Sequence, residues 1–307
     1  MKPLARFIMR GPAPAALVTG FTGLLALLLP LVGLLSSAAL ALVTLRGGPK
    51  DGAVVAAVAG LGCLLPCAWL YGSPAAVLIL ALVLWVPVWV LAVALRFSRS
   101  LALAAQLAGI GGLVLIMLIY WLTANPADYW MRLLAPVSQS LVKDGVVDAA
   151  AAQALFAGLA RWMTGAFAAG LVLQVLLGLF IGRWWQAALY NPGGFGADFR
   201  TFRLHPAFGA VGLVLVGLVG FMPGPGMVPD LLIVLSPLWL LQGLAVIHQL
   251  IAAHGAHRGW LVGLYILLVV FMPQAEVLVA CLGLVDIWAD LRVRLGPRPP
   301  SLGRGLG

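Results

Sequence analysis

Ten apolar stretches, most of them near the length that crosses a bilayer, constrain this chain more than any other feature. They run over 13–29, 31–45, 52–70, 74–95, 101–122, 162–182, 207–222, 229–252, 260–272 and 274–291. Hydrocarbon offers a backbone amide no partner outside its own helix, so about 20 apolar residues in succession read as a membrane-spanning helix. The expected fold class is all-α: a polytopic transmembrane helix bundle of about 8–10 membrane segments. It forms a single integral membrane domain over 1–307. The pairs 13–29 with 31–45 and 260–272 with 274–291 contain members short of about 17 residues, so each pair is either two full spans or a re-entrant hairpin. In both cases the chain enters and leaves on one side, and the topology is the same.

Composition excludes a soluble alternative. Hydrophobic residues make up 63% of the chain and charged residues 9%, with a mean hydropathy of +1.10. Soluble domains carry roughly 25% charged residues, so this chain has too little polar surface to cover a globule in water. The net charge of +9 does not make it a nucleic-acid binder, because its bases are scattered between apolar runs.

Those bases test the topology. With the N-terminus in the cytoplasm and alternating spans, the inner side collects Lys2, Arg6, Arg10, Arg46, Lys50, Arg96, Arg99, Arg183, Arg200, Arg203, Arg258, Arg292, Arg294, Arg298 and Arg304. The outer side keeps Arg132, Lys143 and Arg161, whereas Asp128, Asp144, Asp148, Asp230 and the only glutamate, Glu276, fall outside. The positive-inside rule predicts this asymmetry, and an odd change in span number destroys it. Both termini are therefore expected in the cytoplasm. The basic start and the small residues at 36–41 resemble a cleaved signal peptide, but the apolar region from 13 to 45 is too long for one, and an uncleaved hairpin is the better reading. Cys63 and Cys67, spaced i,i+4, and Cys281 all lie in predicted spans, where cysteine usually serves as a small hydrophobe. No metal or cofactor is expected.

Two loops stand out. The outer loop 123–161 opens on Asn125-Pro126-Ala127-Asp128, a helix start with a cap, a proline in the first turn and an acid facing the positive helix end. Tyr129, Trp130, Leu133, Leu134, Val137 and Leu141 follow at helical spacing. The segment reads as an amphipathic helix in the outer interface, acting as a strut or as a lid over a ligand. The run 149–162 is helical and leads into the next span. The cytoplasmic loop 183–206 is aromatic and basic. Arg183, the tight turn at Asn191-Pro192-Gly193-Gly194, Arg200 and Arg203 are its candidate contacts to a partner or to anionic lipid. Its glycines lack the Lys-Ser/Thr that a phosphate-binding loop needs.

Polar residues inside spans are the candidates for a solute site. Gln242 and Gln249 are seven apart on one helix face, Glu276 lies near the outer end of the last segment, and Asp286 is deep enough to require a protein or aqueous surrounding. Asp286, Asp290 and Arg294 recur every four residues, which places them on one stripe in the favourable acid-before-base order. His248, His254 and His257 lack the spacing of a metal site. Small residues four apart (Ala16 with Gly20, Ala166 with Gly170, Gly178 with Gly182) allow close helix approach. No motif for a protease, hydrolase or kinase is present, and the chain is read as a non-enzyme.

The stretches Asn191-Pro192-Gly193-Gly194-Phe195-Gly196, Phe199-Arg200 with Arg203-Leu204, and Gly283-Leu284-Val285-Asp286-Ile287-Trp288-Ala289-Asp290-Leu291-Arg292 resemble the YybS-like family of bacterial membrane proteins, a domain of unknown function. The resemblance implies an inner-membrane protein distantly similar to the substrate-binding subunits of energy-coupling-factor transporters. Those subunits use a small-residue face on the first helix to dock a transmembrane partner. Here Ala16 and Gly20 match that face, whereas Leu24 departs from it.

Two functions follow as expectations. The first is a transporter-like protein that captures or permeates a small solute, with Gln242, Gln249, Glu276 and Asp286 in contact with it. The alternative is a non-catalytic membrane scaffold in envelope assembly, docking a membrane or cytoplasmic partner through 183–206. The lipid bilayer is a partner in either case.

Overall fold

A computed structural model describes residues 2–123, 125–221, 224–257 and 259–296. Arg258, Arg298 and Arg304 of the basic set, and Met222 at the end of the seventh apolar stretch, lie outside the described residues. The chain is all-α, with no strand among the described residues. In order come α1 (Lys2–Ile8), α2 (Pro12–Ala26), a 3-10 turn (Pro30–Val32), α3 (Gly33–Gly47), α4 (Pro49–Tyr71) and α5 (Ala76–Leu80). A π-helical turn, Ala81–Trp85, joins α5 to α6 (Val86–Ser98). Then follow α7 (Leu101–Thr123), α8 (Pro126–Lys143), α9 (Ala149–Tyr190), α10 (Gly194–Arg200), α11 (Pro206–Phe221), α12 (Met227–Ala253), α13 (Gly259–Val270), α14 (Gln274–Ala289) and α15 (Leu291–Arg294).

Six of these helical stretches are long and apolar enough to cross a membrane: Pro30–Gly47, Pro49–Leu70, Ala76–Ser98, Leu101–Thr123, Ala149–Tyr190 and Met227–Ala253. Shorter apolar helices (α2, α11 and α13) accompany them, and the chain is a multi-pass membrane protein. Many large apolar side chains point outward, including Leu65, Trp69, Trp121, Phe221 and Val269. In water that surface would be unstable; against lipid tails it has no cost.

The bundle turns on α9, whose 42 residues extend about 63 Å. The expected span 162–182 is only its middle, because the 149–162 run continues into it without a break. On one side α9 packs against α3, whose residues from Ser36 to Leu42 are all buried. Gly178 lies over Ser37 and Gly182 over Ala41, leaving no room for a side chain at either glycine. On the other side α9 meets α7 and α12. Lipid provides no hydrophobic force to press helices together, so close backbone approach has to supply the contact energy.

The other two small-residue pairs behave differently. Ala16 and Gly20 are buried, and Gly20 faces Ala59 and Cys63 of α4 within the same chain. Ala166 and Gly170 lie exposed, and the tightly packed small residue on that turn is Gly165. The α2–α3 pair forms a hairpin held by Ser36, whose hydroxyl donates to the Thr19 carbonyl (2.7 Å) and accepts from the Trp85 indole (2.9 Å). With 15 residues, α2 extends about 22 Å, less than the ~30 Å hydrocarbon core.

In the C-terminal half α12 is the central helix, and α14 packs along it where Gly243 meets the Val279 carbonyl and Gly283 meets the backbone of Trp239 and Gly243. A Cβ at Gly283 would collide with the Trp239 carbonyl and the Gly243 amide, whereas Gly217 of α11 faces open space. Gly283→Val should therefore lower stability by about 1–3 kcal/mol through overpacking. Gly217→Val should stay within about 0.5 kcal/mol of the parent. Unfolding of both variants in detergent checks this, and equal midpoints would refute the packing account.

Candidate functional site

Contacts between side chains and carbonyls gather Arg46, Arg96, Arg183, Arg200, Arg203 and Arg292 at one end of the bundle. Tyr120, Trp130, Thr164 and Asp230 mark the other end. On α9, Gly165 belongs to the second group and Arg183 to the first, a separation of about 27 Å of helix. That matches the thickness of a hydrocarbon core. Each end holds one buried acid, and α12 reaches both.

At the basic end the acid is Asp286, 1% exposed. Its Oδ2 accepts from Gln242 Nε2 (3.0 Å) and lies 3.3 Å from Arg292 Nη2, while its Oδ1 accepts from the Leu291 amide (2.9 Å). Gln242, also buried, turns its Oε1 to the Leu204 amide (2.8 Å). Arg292 in turn donates to the Arg200 and Phe202 carbonyls (2.9 and 2.6 Å). Burial pulls the Arg292 guanidinium below its ordinary value, and the charge of Asp286 acts against that pull.

The helix breaks at Asp290, whose φ of 46° lies in the left-handed region. This break overrides the expected stripe of Asp286, Asp290 and Arg294. It frees the Leu291 amide for Asp286 and turns Asp290 toward Arg203 (2.9 Å), so the arginine that pairs with Asp286 is Arg292.

The expected loop 183–206 is largely helical, since α9 continues to Tyr190 and α10 covers Gly194–Arg200, and it is consequently folded onto the bundle. Arg183 pairs with Asp198 (2.7 Å), and Arg203 also reaches the Ile287 carbonyl. Phe195, Phe199 and Phe202 form a chain of ring contacts that includes Phe180 and the edge of His248. Asn191 caps the end of α9 and accepts from the Gly194 amide (3.0 Å); it stays exposed with Pro192 and Gly193.

At the far end the acid is Asp230, completely buried in the first turn of α12. Its Oδ2 accepts from the Tyr120 hydroxyl of α7 (2.8 Å) and its Oδ1 from the Gly165 amide of α9 (3.0 Å). Gly165 is needed here, because a Cβ would stand 2.6 Å from the carboxylate. Among the described residues no base pairs with Asp230. Just beside it, Trp130 of α8 buries its ring and donates to Thr164 (2.9 Å), so the amphipathic helix is pinned next to the acid. The expected start of α8 is present: Asn125 accepts from the Ala127 amide, and Pro126 and Asp128 occupy the first turn.

Of the sequence-predicted residues, Gln242 and Asp286 come together. Gln249 and Glu276 are half-buried and make no hydrogen bond or ion pair with them among the described residues. Sequence reasoning missed Asp230 as a site residue, together with Tyr120 and Gly165. The available signal was an acid followed by an apolar run from 231 to 235 inside a predicted span.

Fold and site together define an all-α, multi-pass membrane protein whose central helix joins two buried carboxylates. No protein-family model, no curated protein and no solved structure matches the chain.

Asp286→Ala should leave Arg292 buried without its counter-charge and cost about 3–5 kcal/mol. It should also release the loop, so that trypsin cuts after Arg200 and Arg203 far faster than in the parent. Unchanged digestion would show that the network does not hold the loop.

Proposed function

We propose that this chain is a transporter-like protein of the bacterial inner membrane that captures or passes a small solute. The carrying observation is Asp230, a buried carboxylate within a span that no base pairs with among the described residues. Asp230 lies in the first turn of a span yet is fully shielded from water, and ionisable residues within spans serve ion, proton or substrate pathways by default. The arrangement suits that role. Three helices converge on the carboxylate, α8 is anchored at its side, and Pro237 interrupts the α12 hydrogen-bond ladder between the two acids.

The gathering of arginines at one end supports placing that end, with both termini, in the cytoplasm. Asp230 and α8 then face outward. Kinship with the YybS-like family is part of this reading. Its support is that the two stretches carrying the resemblance, 191–204 and 283–292, bind each other through Arg203–Asp290 and through Arg292 on the Arg200 and Phe202 carbonyls.

A thermal-stability screen of the protein in native lipid against a broad metabolite panel tests the proposal. At least one small solute should raise the unfolding temperature. Asp230→Asn, which keeps the size of the side chain, should unfold within a few degrees of the parent but lose most of that stabilisation. A panel without a stabilising solute would refute the transporter reading; an equal response in the variant would remove Asp230 from it.

A further inference from the structure

The arginines at the basic end are not all used in holding the fold. Between the C-terminal ends of α3 and α6, the lower part of α9, and α10 lies a cavity of about 490 Å³. Arg96, Arg99, Arg183, Gln186 and Asp198 line it, with Phe97 at its rim. Its volume lies in the range of small-ligand sites, far above the ~30 Å³ of a single water.

The charges in this cavity do not cancel. Asp198, its one acid, is paired with Arg183 at 2.7 Å. Arg96 places one nitrogen, Nη1, between the Leu45 and Arg46 carbonyls at the end of α3, which orients the guanidinium and leaves Nε and Nη2 without a hydrogen-bond partner among the described residues. Arg99 makes no side-chain hydrogen bond or ion pair among the described residues. It sits at the tight α6–α7 turn with φ 55°, a left-handed conformation that closes the helix through its own amide on the Leu95 carbonyl (2.8 Å). That turn keeps Arg96 and Arg99 on the wall of one cavity. Three guanidinium groups against one carboxylate leave an excess of two positive charges at the edge of an apolar bundle.

We propose that this cavity is a binding site for an anionic phosphate group, recognised by Arg96 and Arg99 with Gln186 beside them. Planar guanidinium forks match phosphate oxygens, and basic pockets between membrane helices accept lipid headgroups. The phosphate belongs to an anionic lipid or to a soluble phosphate ester. Phe97, 74% exposed, offers acyl chains an apolar surface beside the site.

Calorimetric titration of the full chain in neutral detergent decides between these sources. The probes are dihexanoyl phosphatidylglycerol, dihexanoyl phosphatidylcholine and glycerol 3-phosphate. Saturable binding of phosphatidylglycerol alone assigns the site to an anionic lipid; binding of glycerol 3-phosphate assigns it to the phosphate ester itself. The Arg96→Gln/Arg99→Gln variant should bind about thirtyfold more weakly, since each arginine near such a headgroup contributes about fivefold. Arg99→Gln alone, which removes no side-chain hydrogen bond or ion pair among the described residues, should lose about fivefold. Arg6→Gln/Arg10→Gln, with the same change of net charge away from the cavity, should bind as the parent does. The proposal is overturned if neither anionic probe binds, if phosphatidylcholine binds equally well, or if the Arg6/Arg10 variant loses as much as the Arg96/Arg99 variant.

Discussion

Inside hydrocarbon a polar side chain has no water as a substitute partner, so every buried polar group must find its hydrogen bonds within the protein. In this chain that requirement falls mainly on α12. Asp230 at one end of the helix draws in Tyr120 of α7 and the Gly165 amide of α9. Gln242, about 18 Å further along, draws in Leu204 and Asp286. Four separate segments are thus positioned by two side chains of one helix. Fewer polar contacts, such as Ser36 with Thr19 and Trp85, and Trp130 with Thr164, fix the remaining, mostly apolar packing.

Close approach makes these bonds geometrically available. Gly165 lets Asp230 reach a backbone amide, Gly243 and Gly283 bring α14 against α12, and Gly178 and Gly182 seat α9 on α3. The glycines and the buried acids belong to one arrangement: the small residues shorten the distances, and the polar groups select the register. Its two ends differ in character. At the basic end an acid, an amide and an arginine bind one another and secure the segment before α11. At the far end the acid has only neutral donors, which is why the functional reading rests there.

Much of the fold was legible from residues alone. The apolar runs mark the helices, Asn125 to Asp128 mark the start of α8, and the distribution of arginines anticipates the end at which they gather. The continuity of 149–162 into the span 162–182 was legible too, because no proline or glycine pair interrupts it, whereas the helical residues 183–190 were read as loop. The candidate site was legible only in part. Asp286 and Gln242 were recognisable as polar residues in spans, but their partnership joins residues 44 apart. The spacing of Asp286, Asp290 and Arg294 suggested a stripe that the left-handed Asp290 breaks. Asp230 was legible only as one of the acids on the outer side.

Local hydropathy and one-dimensional spacing are enough to set the class of protein, most of the helices and the asymmetry of charge. The tertiary structure alone decided which acid is paired with a base and which is not. It also decided that Arg96 and Arg99 face a cavity while Arg203 and Arg292 clamp a loop. The physical reason is that burial and counter-charge are properties of neighbours distant along the chain. A guanidinium one turn from another has the same local sequence signature whether it meets a carboxylate, a carbonyl or an open cavity.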